Sequence, residues 1–331
     1  MTTTFSSLPV VDVGPLGSPA GATDAELSAL SQRLYDVFAT TGFAYLTNVP
    51  LSFSHAEVFQ MSRDFFALPT EEKMKLAKRS FRPNDNLKEG FEMGPAKIIE
   101  AKSVDPSSKF NLAETNVWPD EKVFTSRNKL EKLYVELQSL ASKLLSLLAM
   151  SLGKPADFFA PYLVDSLSTL RLLHYPAVAS AASGSRSATQ DEVKLSCTQH
   201  TDSGILTLLH QDSTGGLEVC NSSGDWVAAP YIPESLVVNI GDLMAKVSGG
   251  RFIATMHRVR APEPSSSAAV VSNQQNGETR ALGRISVPFF FEPGENCLVR
   301  SVDAEEGFVV YGEHVRTKMK TWVEFQDDDD N

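Results

Sequence analysis

Apolar residues recur at helical spacing in the first half of the chain and in short strand-like runs in the second. Leu27, Leu30, Leu34, Val37 and Phe38 form one stripe, preceded by the capping box Thr23-Asp-Ala-Glu26 and closed by Gly42. Ser54-His-Ala-Glu57 opens a second predicted helix through Phe65 and Phe66; Pro69 breaks it, and Thr70-Glu-Glu72 starts a further turn. The longest predicted helix spans Arg127 to Leu152. Leu130, Leu133, Leu137, Leu140, Leu144 and Leu147 line one face of it, and Gly153 and Pro155 stop it. Leu8–Val13 and Phe43–Thr47 read as short strands, and residues 79 to 123 as irregular. From residue 168 the pattern predicts strands at Ser168–Tyr175, Thr198–His210, Gly216–Val219, Trp226–Ala229, Ser235–Ile240, Phe252–Arg258, Arg284–Phe291 and Gly307–Tyr311. Turn signals such as Gly215-Gly216 and Gly249-Gly250 separate them. Helices followed by many short strands predict an α+β fold with a β-sandwich or barrel as its body. Two Ser/Ala/Gln-rich inserts, at 178–191 and 261–280, read as surface loops.

Composition narrows the function. Lys and Arg number 30 against 41 Asp and Glu, a net charge of −11. A duplex-binding protein needs a basic face, so nucleic acid is not an expected partner. No stretch reaches the ~18 uninterrupted apolar residues of a membrane span. Met1-Thr-Thr-Thr-Phe5 has neither the basic nor the apolar region of a secretion signal. Cys197, Cys220 and Cys297 are isolated thiols that suit a reducing compartment. These features predict a cytoplasmic protein with a small-molecule substrate and no membrane partner; they leave the oligomeric state open. Asp327–Asn331 reads as a solvated acidic end.

Candidate chemistry concentrates in the second half. On a strand, His200-Thr-Asp202 would set an imidazole and a carboxylate side by side on one face. His257, in a separate strand run, would complete the two-His, one-carboxylate set of non-haem Fe(II) oxygenases, which leaves positions open for a chelating co-substrate and O2. Taken singly, His200 and Asp202 read better as a hydrogen-bonded pair, and His257 as a satisfied core histidine. Arg284-Ile-Ser286 changes the balance. It places a guanidinium and a hydroxyl on one face, a grip for the far carboxylate of a dicarboxylate. The apolar run Val287–Phe291 buries that strand, and a buried Arg needs an anion. His174 faces away from Tyr175, and His210 is too far from His200 to share its ion; both read as structural, as do His55 and His314. Asn239 and Asp242 read as turn residues.

In order along the chain, several segments resemble the isopenicillin N synthase-like group of Fe(II)/2-oxoglutarate-dependent dioxygenases. They are Leu8-Pro-Val-Val-Asp12, Gly42–Asn48, Phe65–Lys73, Leu170–Pro176, His200–Leu209, Gly215–Val219, Val238–Asp242, His257–Val259 and Arg284–Ser286. The wording of Asp85–Met93 is similar to fungal members. The resemblance implies an α+β protein with a double-stranded β-helix (jelly-roll, cupin-like) core and N-terminal and flanking helices. Residues 1–160 would form the helical region with short strands, and residues 161–331 the jelly roll, as one integrated unit.

The resemblance assigns His200, Asp202 and His257 to Fe(II), and Arg284 and Ser286 to the C5 carboxylate of 2-oxoglutarate. Tyr175 is either a further co-substrate contact or a packed aromatic. Arg280 competes with Arg284 but lacks the Ser two residues on. The implied reaction consumes 2-oxoglutarate and O2, releases succinate and CO2, and hydroxylates, desaturates or rearranges a small organic substrate, as in secondary metabolism. Two alternatives stand: an oxidase that needs no 2-oxoglutarate, and a metal- or ligand-binding sensor that turns nothing over. Pocket candidates by family position are Lys88–Met93, Phe110 and Phe291, and 261–280 reads either as a lid or as a plain surface loop.

Overall fold

The computed structural model describes residues 3–76, 88–96, 112, 115–177, 194–262, 270–272, 279–281, 283–304 and 307–319. In chain order they form β1 (Val10–Asp12), α1 (Asp24–Thr40), β2 (Phe43–Thr47), α2 (His55–Phe66), α3 (Thr70–Met74), β3 (Glu89–Met93) and α4 (Arg127–Ser151). There follow β4 (Thr169–Tyr175), β5 (Leu195–His200), β6 (Leu206–Gln211), β7 (Leu217–Cys220), β8 (Trp226–Ala228), β9 (Leu236–Ile240) and α5 (Asp242–Val247). The chain continues with β10 (His257–Arg260), β11 (Val270–Ser272), β12 (Thr279–Ala281), β13 (Arg284–Phe291), β14 (Leu298–Val299), β15 (Val309–Val310) and α6 (Tyr311–Met319). Phe110, the 178–191 insert, most of 261–280 with its expected lid, and the acidic end lie outside the described residues.

The expected capping boxes form. Thr23 and Ser54 each accept from the backbone three residues on, and Glu26 and Glu57 reach back to the cap nitrogens, an arrangement that stabilises a helix start by about 1 kcal/mol. Each of the six stripe leucines of α4 is buried, contributing about 1.5–3 kcal/mol apiece. By length and hydropathy α4 could cross a membrane, yet it packs on α1, β6 and β13.

Two sheets make the jelly roll. The larger runs β1-β2-β9-β6-β13-β4-β3 and the smaller β5-β10-β7-β8. All neighbours are antiparallel except β1 and β2. Side chains alternate across β13. Ile285, Val287, Phe289 and Phe291 enter the large core under the helices, while Arg284, Ser286, Pro288 and Phe290 take the opposite face. A second apolar cluster, with Phe43, Tyr45, Val219, Val237 and Val259, fills part of the space between the sheets.

The structure departs from the sequence pattern at four places. The single strand expected over Thr198–His210 is two strands, β5 and β6, in different sheets. The loop between them crosses because Gly204 packs against Gly241; a Cβ on Gly241 would stand 2.2 Å from Gly204 O. The strand expected from Phe252 begins only at His257. β3 lies inside the segment read as irregular and pairs with β4. Tyr311, expected to end a strand, opens α6.

Gly42 tests the packing around the smaller sheet. Its φ is +72°, and a Cβ there would meet Ile253 O at 2.3 Å and Thr255 Oγ1 at 2.4 Å. Gly153 has a similar φ of +73° and nothing within 4 Å. Gly153→Ala is expected to cost only the backbone term of about 1 kcal/mol, and Gly42→Ala about 3 kcal/mol or more, read from urea midpoints. A second test is pH. The Glu89 carboxylate accepts from His174 Nδ1 at 3.1 Å and from Lys73 Nζ. The His174 bond and then Lys73 outweigh burial and draw its pKa from 4.5 down to about 2. A depressed carboxylate stabilises the fold above its unfolded value and loses that contribution as pH falls through the folded one. Glu89→Gln should therefore be less stable than wild type at pH 7, by about 1 kcal/mol after solvent screening. That gap should close as pH falls from about 4.5 to 2.

Candidate active site

Three ligand atoms converge where the sheets meet. His200 closes β5 and His257 opens β10, and the two are cross-strand partners with ring centroids 4.2 Å apart. Asp202 lies in the loop after β5, so the turn sets it beside His200, in place of the strand alternation expected. Asp202 Oδ1 is 3.6 Å from His200 Nε2 and 3.7 Å from His257 Nε2, and the three ligand atoms lie within 4.8 Å of one another.

The outer atoms of the three groups are already committed. His200 Nδ1 donates to Thr198 O at 2.7 Å and His257 Nδ1 to Thr255 O at 3.1 Å. A carbonyl can only accept, so both rings carry a proton on Nδ1 and turn Nε2 inward, where a metal would take the place of any second proton. Asp202 Oδ2 accepts from Thr207 Oγ1 at 2.5 Å and Asn239 Nδ2 at 2.8 Å. Thr207 and Asn239 are themselves paired across β6 and β9. Asn239 is thus a strand residue that orients the carboxylate, which corrects its reading as a turn residue. Burial pushes the Asp202 carboxyl up, but His257, His200, Asn239 and Thr207 together hold it below its ordinary value. Burial also lowers His257. His200 is buried as well, yet the Cys197 thiol, Asp202 and the Thr198 carbonyl lift it to about 9. Two imidazoles and a carboxylate, each with one inward atom left, make a donor set that fits Fe(II).

The predicted anchor residues share one interior face. Arg284 pairs across the sheet with Tyr175, and its guanidinium lies 5.5 Å from the centre of that ring. Only 1% of Arg284 is exposed; Nε donates to Gly215 O at 2.8 Å, and Nη1 has no partner. Burial draws the guanidinium below its usual value. The carboxylate of Asp212 is occupied by the amides of Ile285 and Thr214. Among the described residues no carboxylate forms an ion pair with Arg284, and a buried cation in that state needs an anion from outside. Ser286 is buried on the same strand, two residues on. Burial pushes the Tyr175 phenol up to about 12, so it stays a neutral donor. Arg280 lies on β12, in a two-stranded ribbon outside both sheets.

Other expectations shift by one residue or one face. Phe291 is fully buried in the helix-side core, so Phe290 takes the interior position instead. His174 lies on the helix side of β4, against Phe66 and Glu89, and His210 packs on His55, both away from the triad as their strand positions implied. Cys197, read as an isolated thiol, lies 3.7 Å from His200 Nδ1, between the triad and the Arg284–Tyr175 pair. Nothing in its neighbours along the chain marks it.

Comparison with known proteins agrees with this geometry. The 2OG-Fe(II) oxygenase superfamily matches residues 168–293, and the N-terminal family described as non-haem dioxygenase in morphine synthesis matches residues 8–121. A rice homoarginine-6-hydroxylase is 30% identical over 97% of this chain and 99% of its own length. The proline hydroxylase buaE of Petromyces alliaceus is 32% identical over 83% of this chain and 85% of its own. The crystal structure of a full-length Neurospora crassa protein in complex with alpha-KG and 5-formyluracil superposes with a TM-score of 0.77 at 25% identity, covering 97% of this chain and 98% of that one. The chain therefore belongs to the 2-oxoglutarate- and Fe(II)-dependent oxygenases, with their jelly-roll fold and oxidoreductase chemistry.

Proposed function

We propose that in this dioxygenase His200, Asp202 and His257 hold Fe(II), and that Arg284, Ser286 and Tyr175 hold 2-oxoglutarate. The observation that carries the reading is Arg284, a buried guanidinium with an open nitrogen and, among the described residues, no acidic partner, on the interior face of the large sheet. A dicarboxylate co-substrate supplies the missing anion. When bound, Fe(II) supplies the O2 activation that couples decarboxylation of 2-oxoglutarate to oxidation of a substrate C–H bond.

The chain's own residues do the rest. Thr198 and Thr255 carbonyls fix both imidazole tautomers; Thr207 and Asn239 fix the carboxylate. Arg284 and Ser286 orient the co-substrate by its far end, with the Tyr175 hydroxyl as an added donor. The apolar cluster between the sheets limits water at the site. The relatives named for homoarginine and proline, and the Neurospora crassa complexes with thymine and 5-formyluracil, put basic amino acids, cyclic amino acids and pyrimidines first in a substrate screen.

Anaerobic titration of the Fe(II)-loaded protein with 2-oxoglutarate tests the reading. The visible charge-transfer band of the chelate is expected with wild type. Removing one partner of a buried charge pair costs about 2–5 kcal/mol, so Arg284→Ala should need at least ~30-fold more 2-oxoglutarate. No band at stoichiometric iron would sink the assignment. Asn239→Ala frees Asp202 to rotate and should weaken Fe(II) binding by ~10–100-fold, measured by equilibrium dialysis, and should lower stability by about 1–3 kcal/mol, read from the urea midpoint.

A further inference from the structure

The interior faces of β4 and β13 have two ends. Tyr175, Arg284 and Ser286 mark one, and Cys197 and Lys88 lie toward it. At the other end stand Arg171, Phe290 and, just past β13, Glu292. The Arg171 guanidinium stacks 4.9 Å over the Phe290 ring, and its Nε pairs with Glu92, its cross-strand partner on β3. No protein group takes the two terminal nitrogens of Arg171 among the described residues, and the side chain is 40% exposed. This end opens to solvent.

Glu292 lies beside them. A Cβ on Gly204 would meet Glu292 Cγ at 3.0 Å and Oε1 at 3.4 Å, so the carboxylate lies against the loop that carries Asp202. Arg171, Glu92 and Asp202 all act on it electrostatically. Beside it is the hydroxyl of Tyr311, a side chain with no exposed surface and no hydrogen bond of good geometry. Burial drives the Glu292 carboxyl up to about 7 against the pull of Arg171. Arg171 is balanced by Glu92. Asp202 and the two carboxylates of the co-substrate are balanced by Fe(II) and Arg284. Among the described residues Glu292 forms no ion pair; Arg171, committed to Glu92, acts on it only electrostatically, and a half-buried carboxylate in that state favours an incoming cation.

We propose that Glu292 anchors the substrate and that the substrate is a small basic amino acid, its carboxylate on the free edge of Arg171 and its basic group on Glu292. The assignment rests on the metal and co-substrate reading given above. Phe290 supplies the apolar floor for the methylene chain between the two charged ends.

The test is calorimetry on the full chain loaded with Mn(II) and 2-oxoglutarate, titrated with homoarginine and with homocitrulline, its neutral isostere. Homoarginine should bind at least tenfold more tightly. Glu292→Gln should abolish that preference, Glu292→Asp should keep part of it, and both should bind 2-oxoglutarate as wild type does. Equal affinity for the two amino acids, no binding of either, or a preference that survives Glu292→Gln would overturn the proposal while Mn(II) and 2-oxoglutarate still bind. Failure to bind Mn(II) and 2-oxoglutarate would instead overturn the active-site assignment on which it stands.

Discussion

A carboxylate buried between two sheets is tolerable only if both its oxygens are answered, and Asp202 is arranged so that one is. Oδ2 is answered inside the large sheet, by Thr207 on β6 and Asn239 on β9. Oδ1 is left facing the two imidazoles of the small sheet. The backbone around it is held as firmly. Asp242 N donates to Asp202 O, Leu243 N to Gly204 O, Gly241 N to Ile205 O, and Ile205 N to Phe291 O. The loop that moves the chain from the small sheet to the large one is thus fastened to the start of α5 and the end of β13. The relative position of the two sheets and the position of the carboxylate are one constraint.

Much of this was legible in the sequence where the signal was local. Capping boxes, the α4 leucine stripe and the strand runs after residue 168 rest on spacing, and spacing survives folding. His200, Asp202, His257, Arg284 and Ser286 were legible because their order along the chain is distinctive. The reason offered for His200 and Asp202 was nevertheless incomplete: strand alternation does not set them side by side, a turn does. That turn exists because Gly204 and Gly241, far apart in sequence, lie backbone to backbone. Asn239 looked like a turn residue because its partner is on a loop 37 residues earlier. Phe290 and Phe291 are chemically identical, so only the register of β13 against β4 and β6 decides which one faces the site. β3 was hidden because Glu89, Gly90 and Glu92 carry no apolar pattern; its pairing comes from β4.

The apolar material is divided to suit the polar interior. The larger cluster lies under α1, α2 and α4, on the face of the large sheet away from the triad. The smaller cluster shares the space between the sheets with the site. Rigidity is supplied from outside, so the inner face can carry ionised groups that contribute little to packing. Pro288 adds to this. It has no amide proton, and the pairing of β13 with β4 lapses between Ser286 and Phe289, close to Arg171.

The strand order of the large sheet also bears on how the chain comes to be folded during synthesis. β2, complete by Thr47, has its neighbour in β9 at Leu236–Ile240, and the central strand β13 ends only at Phe291. The leucine face of α4, made by Ser151, therefore leaves the ribosome well before the strands it will cover. At about 5–20 residues per second, that face waits roughly 7–28 seconds for the 140 residues up to the end of β13. An apolar helix exposed for so long is a natural client for a chaperone that binds nascent chains, and the wait is imposed by the same strand crossings that bring the two ends of the active site together.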